Sequence, residues 1–261
     1  MNTSFIKSLA LVINLKSFVV AALAVLSTYI SLRFNIIADY PLTLISTAIV
    51  FPIVFSIGHA YKRREVSLDQ YGNIKAHGRA LYFSARDWLP ERSEERMSEL
   101  VSNMEHLLSS ARSLFKSDRT ELEKHEKEVY KSFSQLSLFV KHLRTDGLSN
   151  GECSRLNQFI SKMMVSFEKV KHIYQYRTPR TLRAFSEFFI ILLPILYGPY
   201  FAAQALEYNS LLIYVMPVLF AFILTGLENI QDHLEDPFDQ IGEDDVMINA
   251  EKFSTLLRDM D

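Results

Sequence analysis

Cysteine is all but missing from this chain. Cys153 is the single one in 261 residues, which excludes an internal disulfide and any zinc site built from several thiolates. Excess charge is missing too: 28 Lys and Arg stand against 30 Asp and Glu, a net charge of −2. A nucleic-acid partner needs a basic face or stripe, so composition supports none. The seven histidines are scattered, and no two of them stand at metal-ligand spacing beside a third ligand. No strand pattern is convincing, so no glycine-rich phosphate loop follows one. There is no nucleophile elbow, and no Ser, His and Asp set that spacing brings together. Nothing points to an enzyme. The first apolar segment lacks a small-x-small exit and runs on as a long span, which argues against a cleavable signal peptide.

What the chain does have is long stretches free of charge. Residues 40–61, 188–206 and 208–227 carry no Asp, Glu, Lys or Arg, and residues 17–38 carry only Arg33, near the end. About 20 apolar residues in a helix cross the hydrocarbon core of a bilayer, and a soluble surface helix would need a polar face. The expectation is a multi-pass membrane protein with four transmembrane helices in two hairpins. Lys7 and Lys16 precede the first span, Lys62, Arg63 and Arg64 follow the second, and Arg177, Arg180 and Arg183 precede the third. The excess of Lys and Arg on the cytoplasmic side therefore puts both termini and the central block in the cytoplasm. The divisions expected are 1–61, an N-terminal segment and first hairpin; 62–186, a helical cytoplasmic domain; 187–228, a second hairpin; and 229–261, an acidic cytoplasmic tail.

The central block reads as helices. Thr120 and Glu123 form a capping-box pattern, after which Leu122, Val129, Leu136 and Leu143 recur every seven residues with Phe133 and Val140 between them. Ser149 and Glu152 repeat the box, followed by Leu156, Met163 and Val170, with Phe159, Phe167 and Tyr174 broadening the stripe. The turn residues of 144–151 separate two antiparallel amphipathic helices. Such stripes also permit packing against other subunits. Before them, residues 62–88 hold only two glycines as breaks, so the second span reads as one helix that continues beyond the membrane.

The stretch after the fourth span is the most unusual. Residues 228–246 hold eight acidic side chains and no Lys or Arg, a pattern that fits a solvated tail, a cation site or a structural latch. It is not an EF-hand, because its carboxylates do not alternate ahead of a glycine at the sixth position. Taken together, "TPRTLRAFSEFFIILLPILYGPYF" (178–201), a further apolar span and "LEDPFDQIGEDDV" resemble the bestrophin family of channel-forming membrane proteins. The shared features are a Thr-Pro entry to the third span, a Leu-Leu-Pro within it, and an acidic-x-Pro-Phe motif after the fourth. Asp245-Val246 matches the Asp-aliphatic pair that follows. Arg64, Lys75 and Gly78 in the extended second helix match more weakly.

The resemblance implies an all-α, bestrophin-like fold and a homopentamer in the lipid bilayer, passing small inorganic ions through one axial pore. Anions such as chloride are the expected ions, with no cofactor required. A cation-conducting member of the same fold and a non-conducting membrane scaffold or sensor are the alternatives. The family's hydrophobic neck falls on Ile53, Ile57 and Tyr61, spaced one helical turn apart. Its cytoplasmic aperture falls on Arg180, where the family has an apolar residue, so this chain would present a ring of positive charge. The tail motif is Glu235, Asp236, Pro237 and Phe238. Some family members bind calcium in this region and others do not. The oxygen-bearing set here is Asp236, Asp239, Glu243, Asp244 and Asp245, and Asp239 replaces the usual glycine after Pro-Phe. The expected role of the motif is to stop the fourth helix at Pro237 and anchor Phe238 in the helical bundle, with the carboxylates paired to arginines.

Overall fold

The computed structural model describes residues 12–38, 42–91, 93–117, 120–176, 180–204, 212–235, 237–238 and 245–260. All regular secondary structure among them is helical: α1 (Leu15–Arg33), α2 (Leu42–Trp88), α3 (Glu94–Lys116), α4 (Leu122–Thr145), α5 (Asn150–Gln175), α6 (Arg180–Leu196), α7 (Gly198–Gln204), α8 (Leu212–Glu235) and α9 (Ala250–Arg258). The chain divides into two compact units. One is formed by Met1–Arg63, Arg177–Asp236 and Ile241–Asp244, the other by Arg64–Tyr176, Pro237–Gln240 and Asp245–Asp261.

The first unit contains the apolar helices. Four described helical stretches are long and apolar enough to cross a membrane: Leu15–Arg33, Ile45–Trp88, Thr181–Gln204 and Ile213–Glu235. α1 starts at a capping box in which the Asn14 side chain accepts from the Ser17 amide at 3.2 Å, satisfying an amide that has no partner inside the helix. The third stretch is two helices. Pro194 has no N–H to continue the ladder, and the chain turns at Tyr197 before α7. Small residues seat α1 on α8, with Ala21, Ala24 and Ala221 buried together around Val20. Ser27 donates to the Ile195 carbonyl at 2.6 Å, a bond of the kind that joins helices where water is excluded. Gly198 makes that approach possible, because a Cβ there would lie 2.2 Å from Ser27 Oγ.

The second unit is a bundle around one core. On α4, Val129, Phe133, Leu136, Val140 and Leu143 are buried, as are Leu156, Met163, Phe167, Val170 and Tyr174 on α5. The seven-residue repeat therefore marks the side chains that face the core. The Ser149–Glu152 box forms as expected, with the Ser149 hydroxyl accepting from the Glu152 amide at 3.3 Å and Glu152 accepting from the Ser149 amide at 3.2 Å. The Thr120–Glu123 box does not form. α4 begins one residue later, at Leu122, and its N-cap residue is Glu121 with no side-chain cap. Glu123 is thus one position short of the place a box requires, and it pairs with Lys127 at 2.7 Å instead. Between α4 and α5 the chain reverses at Gly147, whose φ of +103° suits only glycine well.

The tail is part of this second unit. α9 packs against α3, and Val246, Ile248, Ala250, Phe253 and Leu257 belong to the bundle core. Gly78 on α2 allows the close fit, since a Cβ there would meet Met104 Cε at 2.5 Å and Phe253 Cζ at 3.3 Å.

Candidate functional site

α2 runs unbroken through Pro52, which removes one backbone hydrogen bond without ending the helix. In the first unit its residues split into two faces. Ile49 and Ile53 are buried in a cluster with Ile190, Leu193, Tyr197, Phe201 and Leu224, and Val50 and Ile57 pack against that cluster. Ser46 and the Tyr197 hydroxyl share a hydrogen bond of 3.0 Å on this side. Among the described residues the opposite face is uncovered. Phe51 is 59% exposed, Phe55 57% and Tyr61 53%, and Val54, Gly58, His59 and Lys62 are exposed with them. Phe51 and Phe55 meet edge to face with centroids 4.9 Å apart, as rings one helical turn apart do. A Cβ at Gly58 would meet nothing within 4 Å, so no helix among the described residues approaches there.

At the other ends of the spans in this unit, charge is paired. Lys16 reaches Glu228 at 2.7 Å and Glu187 at 3.6 Å. Arg183 reaches Asp232 at 2.8 Å and Glu235 at 3.3 Å. Asn229 accepts from Asn14 at 2.9 Å and donates to the Val12 carbonyl at 2.7 Å. Glu228 and Glu235 are nearly buried, and a buried carboxylate persists only when paired and hydrogen-bonded. The α8 face therefore ties back to α1 and α6.

This arrangement has counterparts among solved structures. A crystal structure of a variant of a bacterial bestrophin homologue from Klebsiella pneumoniae superposes with a TM-score of 0.75 at 18% identity, covering 94% of this chain and 98% of that one. Another structure of the Klebsiella pneumoniae homologue gives 0.72 at 16% identity over 94% and 97% of the two chains. A crystal structure described as a membrane protein gives 0.76 at 17% identity, over 93% and 97%. No protein-family model and no curated protein matches the sequence. The chain has a bestrophin-like fold.

With four apolar helices long enough to span, this bestrophin-like chain is an integral membrane protein. Its expected neck residues divide between the two faces of α2. Ile53 is fully buried against its own chain, and Ile57 also packs on that cluster. Of the three expected neck residues only Tyr61 is on the exposed face. The exposed stripe spaced by four is Phe51, Phe55 and His59. Sequence spacing alone fits both stripes equally, because each repeats once per turn.

Arg180 opens α6, and its side chain lies outside the described residues, as do Thr178 and Pro179. Of the expected calcium set, Asp236, Asp239, Glu243 and Asp244 lie outside the described residues, and Asp245 stands in a bend ahead of α9. Among the described residues no group of three or more His, Cys, Asp or Glu side chains is placed to hold a metal ion.

The tail motif is clearer. Glu235 ends α8 two residues before Pro237, consistent with the restriction proline places on the residue before it. The Glu235 carboxylate accepts from Gln231 at 3.3 Å and from Arg183 at 3.3 Å. In the second unit the Pro237 carbonyl accepts from the Val246 amide at 2.7 Å. Phe238 is 2% exposed and clusters with Phe115 and Tyr174. Beyond it, Glu251 holds Arg112 through two bonds of 2.6 and 2.8 Å. Those hydrogen bonds are the main reason its carboxyl is held at about 2 rather than the ordinary 4.5. Arg112 had no signal in the sequence, because nothing in the spacing of α3 and α9 says which basic residue meets Glu251.

Proposed function

We propose that the chain is one subunit of a passive ion channel, a homopentamer around a single axis lined by the exposed face of α2, and that it conducts small anions. The observation that carries this is how little of α2 its own chain covers. Only 22% of its apolar window is buried, against 33% for α1 and 39% for each of the other two spans. A helix so bare has the free circumference that packing against other copies and lining a lumen require, beyond what lipid covers. Phe51 and Phe55 give that face a narrow, apolar constriction when repeated around an axis, the kind that gates by dewetting. Lys62, Arg63 and Arg64 follow directly and bring positive charge to one mouth, which favours anions. The same basic residues, with Lys16, Arg177, Arg180 and Arg183, put the termini on the cytoplasmic side. The channel needs no cofactor and performs no covalent chemistry.

Two measurements test it. The mass of the detergent-solubilised protein should be that of five copies; a monomer or dimer removes the axis and leaves a membrane scaffold. Single-channel recording under asymmetric salt should give a reversal potential near that of the anion. A reversal that follows the cation assigns the same fold to cations.

A further inference from the structure

Most basic side chains around α9 have carboxylate partners. Arg112 holds Glu251, Arg86 holds Asp87 at 2.7 Å, and Arg258 reaches Glu105 at 3.9 Å. Among the described residues Lys75 and Arg79 on α2 and Lys252 on α9 have none. Yet two of these are not loose surface cations. Lys75 Nζ sits 4.4 Å above the centre of the Tyr71 ring, and the Arg79 guanidinium lies 5.5 Å from the centre of the Phe253 ring. Both platforms are fixed. Phe253 is core, and the Tyr71 hydroxyl accepts from the Asn249 amide at 3.2 Å. Cation–π contact at partly desolvated sites holds a charge in place without neutralising it. Arg79 Nε is shut off from solvent and bonds to nothing, although a buried donor without a partner is costly. Lys75 and Arg79 are four apart on one helix face. The charges of Arg79 and Lys252 act on Lys75, adding to its partial burial in lowering its pKa. Lys252 lies in the first turn of α9, where the helix dipole adds positive potential. The carboxylate nearest in sequence, Glu251, is already engaged by both guanidinium nitrogens of Arg112.

We propose that Lys75, Arg79 and Lys252 form a binding site for a phosphate-type oxyanion, separate from the proposed conduction path. Lys75 and Arg79, held on their rings, and Lys252, close enough for its charge to act on Lys75, repel one another, and a ligand with two or more negative charges relieves that repulsion. A phosphate group offers several acceptor oxygens, which suit a guanidinium and two ammonium groups together. A single chloride could satisfy only part of the set. The phosphate could belong to a soluble anion or to a lipid headgroup, and the chemistry of recognition is shared.

The test uses the full-length protein in detergent, with thermal melting followed against added pyrophosphate and against sodium chloride at matched ionic strength. Pyrophosphate should raise the Tm by several degrees where matched chloride does not, since a ligand that binds only the folded state stabilises it. Lys75→Gln and Arg79→Gln should each weaken that response at least tenfold in concentration. Lys252→Gln, on the exposed side of α9, should fold normally and weaken it by severalfold, so a folding defect at Arg79 cannot hide the result. In nanodiscs, a response to phosphatidic acid with none to pyrophosphate assigns the site to a lipid phosphate. An equal response to chloride, a wild-type response in all three variants, or no response to either phosphate source overturns the site. Loss of assembly in Lys75→Glu without any phosphate response also overturns it, in favour of a carboxylate from another copy.

Discussion

Phe238 lies face to face with Phe115, the ring centroids 4.7 Å apart and the planes 19° from parallel. Tyr174 meets Phe238 nearly edge-on at 6.1 Å and Phe115 at 5.4 Å, closing a cluster of three rings. The aromatic half of the Pro-Phe pair is thus a plug in the bundle core, while the carbonyl of the proline half pins the returning chain at Val246. The acidic density around the motif is a separate matter: Glu235 and Asp232 are tied to Arg183, and Glu251 to Arg112. Within the acidic stretch itself, Asp232 and Glu235 meet Arg183 while Glu228 meets Lys16.

Phe238→Ala should therefore destabilise the second unit by about 3–5 kcal/mol, the usual cost of emptying a buried aromatic site. Denaturant unfolding would measure this, and hydrogen exchange at the Val246 amide should speed up in the variant even under native conditions. A variant as stable as the wild type would mean that Phe238 is surface decoration.

The Arg112–Glu251 pair should make the docking of α9 sensitive to acid. Because the folded carboxyl titrates at about 2 rather than 4.5, the unfolded segment takes up its proton first as pH falls. The pair contributes its full stabilisation above the unfolded value and loses it progressively on the way down to pH 2. Amide protection of Phe253 and Leu257 should fall across that window, and Glu251→Gln should show lower protection at neutral pH with a flatter profile. An unchanged profile in the variant would remove the pair from the account.

Much of this architecture was legible in the residues. Charge-free runs mark spans because hydrocarbon tolerates no unpaired polar group, and the repeat of Val129, Leu136 and Leu143 marks a buried seam because its period matches the helix. Legibility failed where two readings share one period. Ile53-Ile57-Tyr61 and Phe51-Phe55-His59 are both single stripes on α2, and only the position of α6 and α8 against Ile49 and Ile53 separates the covered side from the free one. The Thr120 box failed for a related reason: a start shifted by one residue keeps the same helix but moves Glu123 out of reach. Lys16 and Glu228 lie 212 positions apart, and no local pattern could have paired them.

That pair carries a prediction of its own. Lys16→Ala leaves Glu228, whose side chain is only 8% exposed, without its cation, and one Glu228 oxygen already lacks a partner. The expected cost is about 3 kcal/mol, the lower end for breaking a buried pair, because Lys16 itself is about a third exposed. Adding Glu228→Gln to the variant should restore a good part of the loss, since a neutral amide tolerates the site. Melting temperatures of the wild type, the two single variants and the double variant close the cycle, and additive losses would show that the two residues do not interact.

The two faces of α2 give the sharpest contrast. Ile53→Ala opens a cavity among Ile190, Leu193 and Leu224, and should cost about 2–4 kcal/mol as a large-to-small core change does, with single-channel conductance near wild type in whatever protein folds. Phe55→Ala removes an exposed ring, so it should leave the melting temperature within a degree or two. Under the channel proposal it should widen the constriction and raise conductance severalfold, and Phe51→Ala with Phe55→Ala should raise it further. Planar-bilayer recording paired with melting curves on the same preparations distinguishes the faces. Raised conductance from Ile53→Ala and unchanged conductance from the double phenylalanine variant would return the neck to the isoleucine stripe, and would require α2 to rotate when the copies assemble.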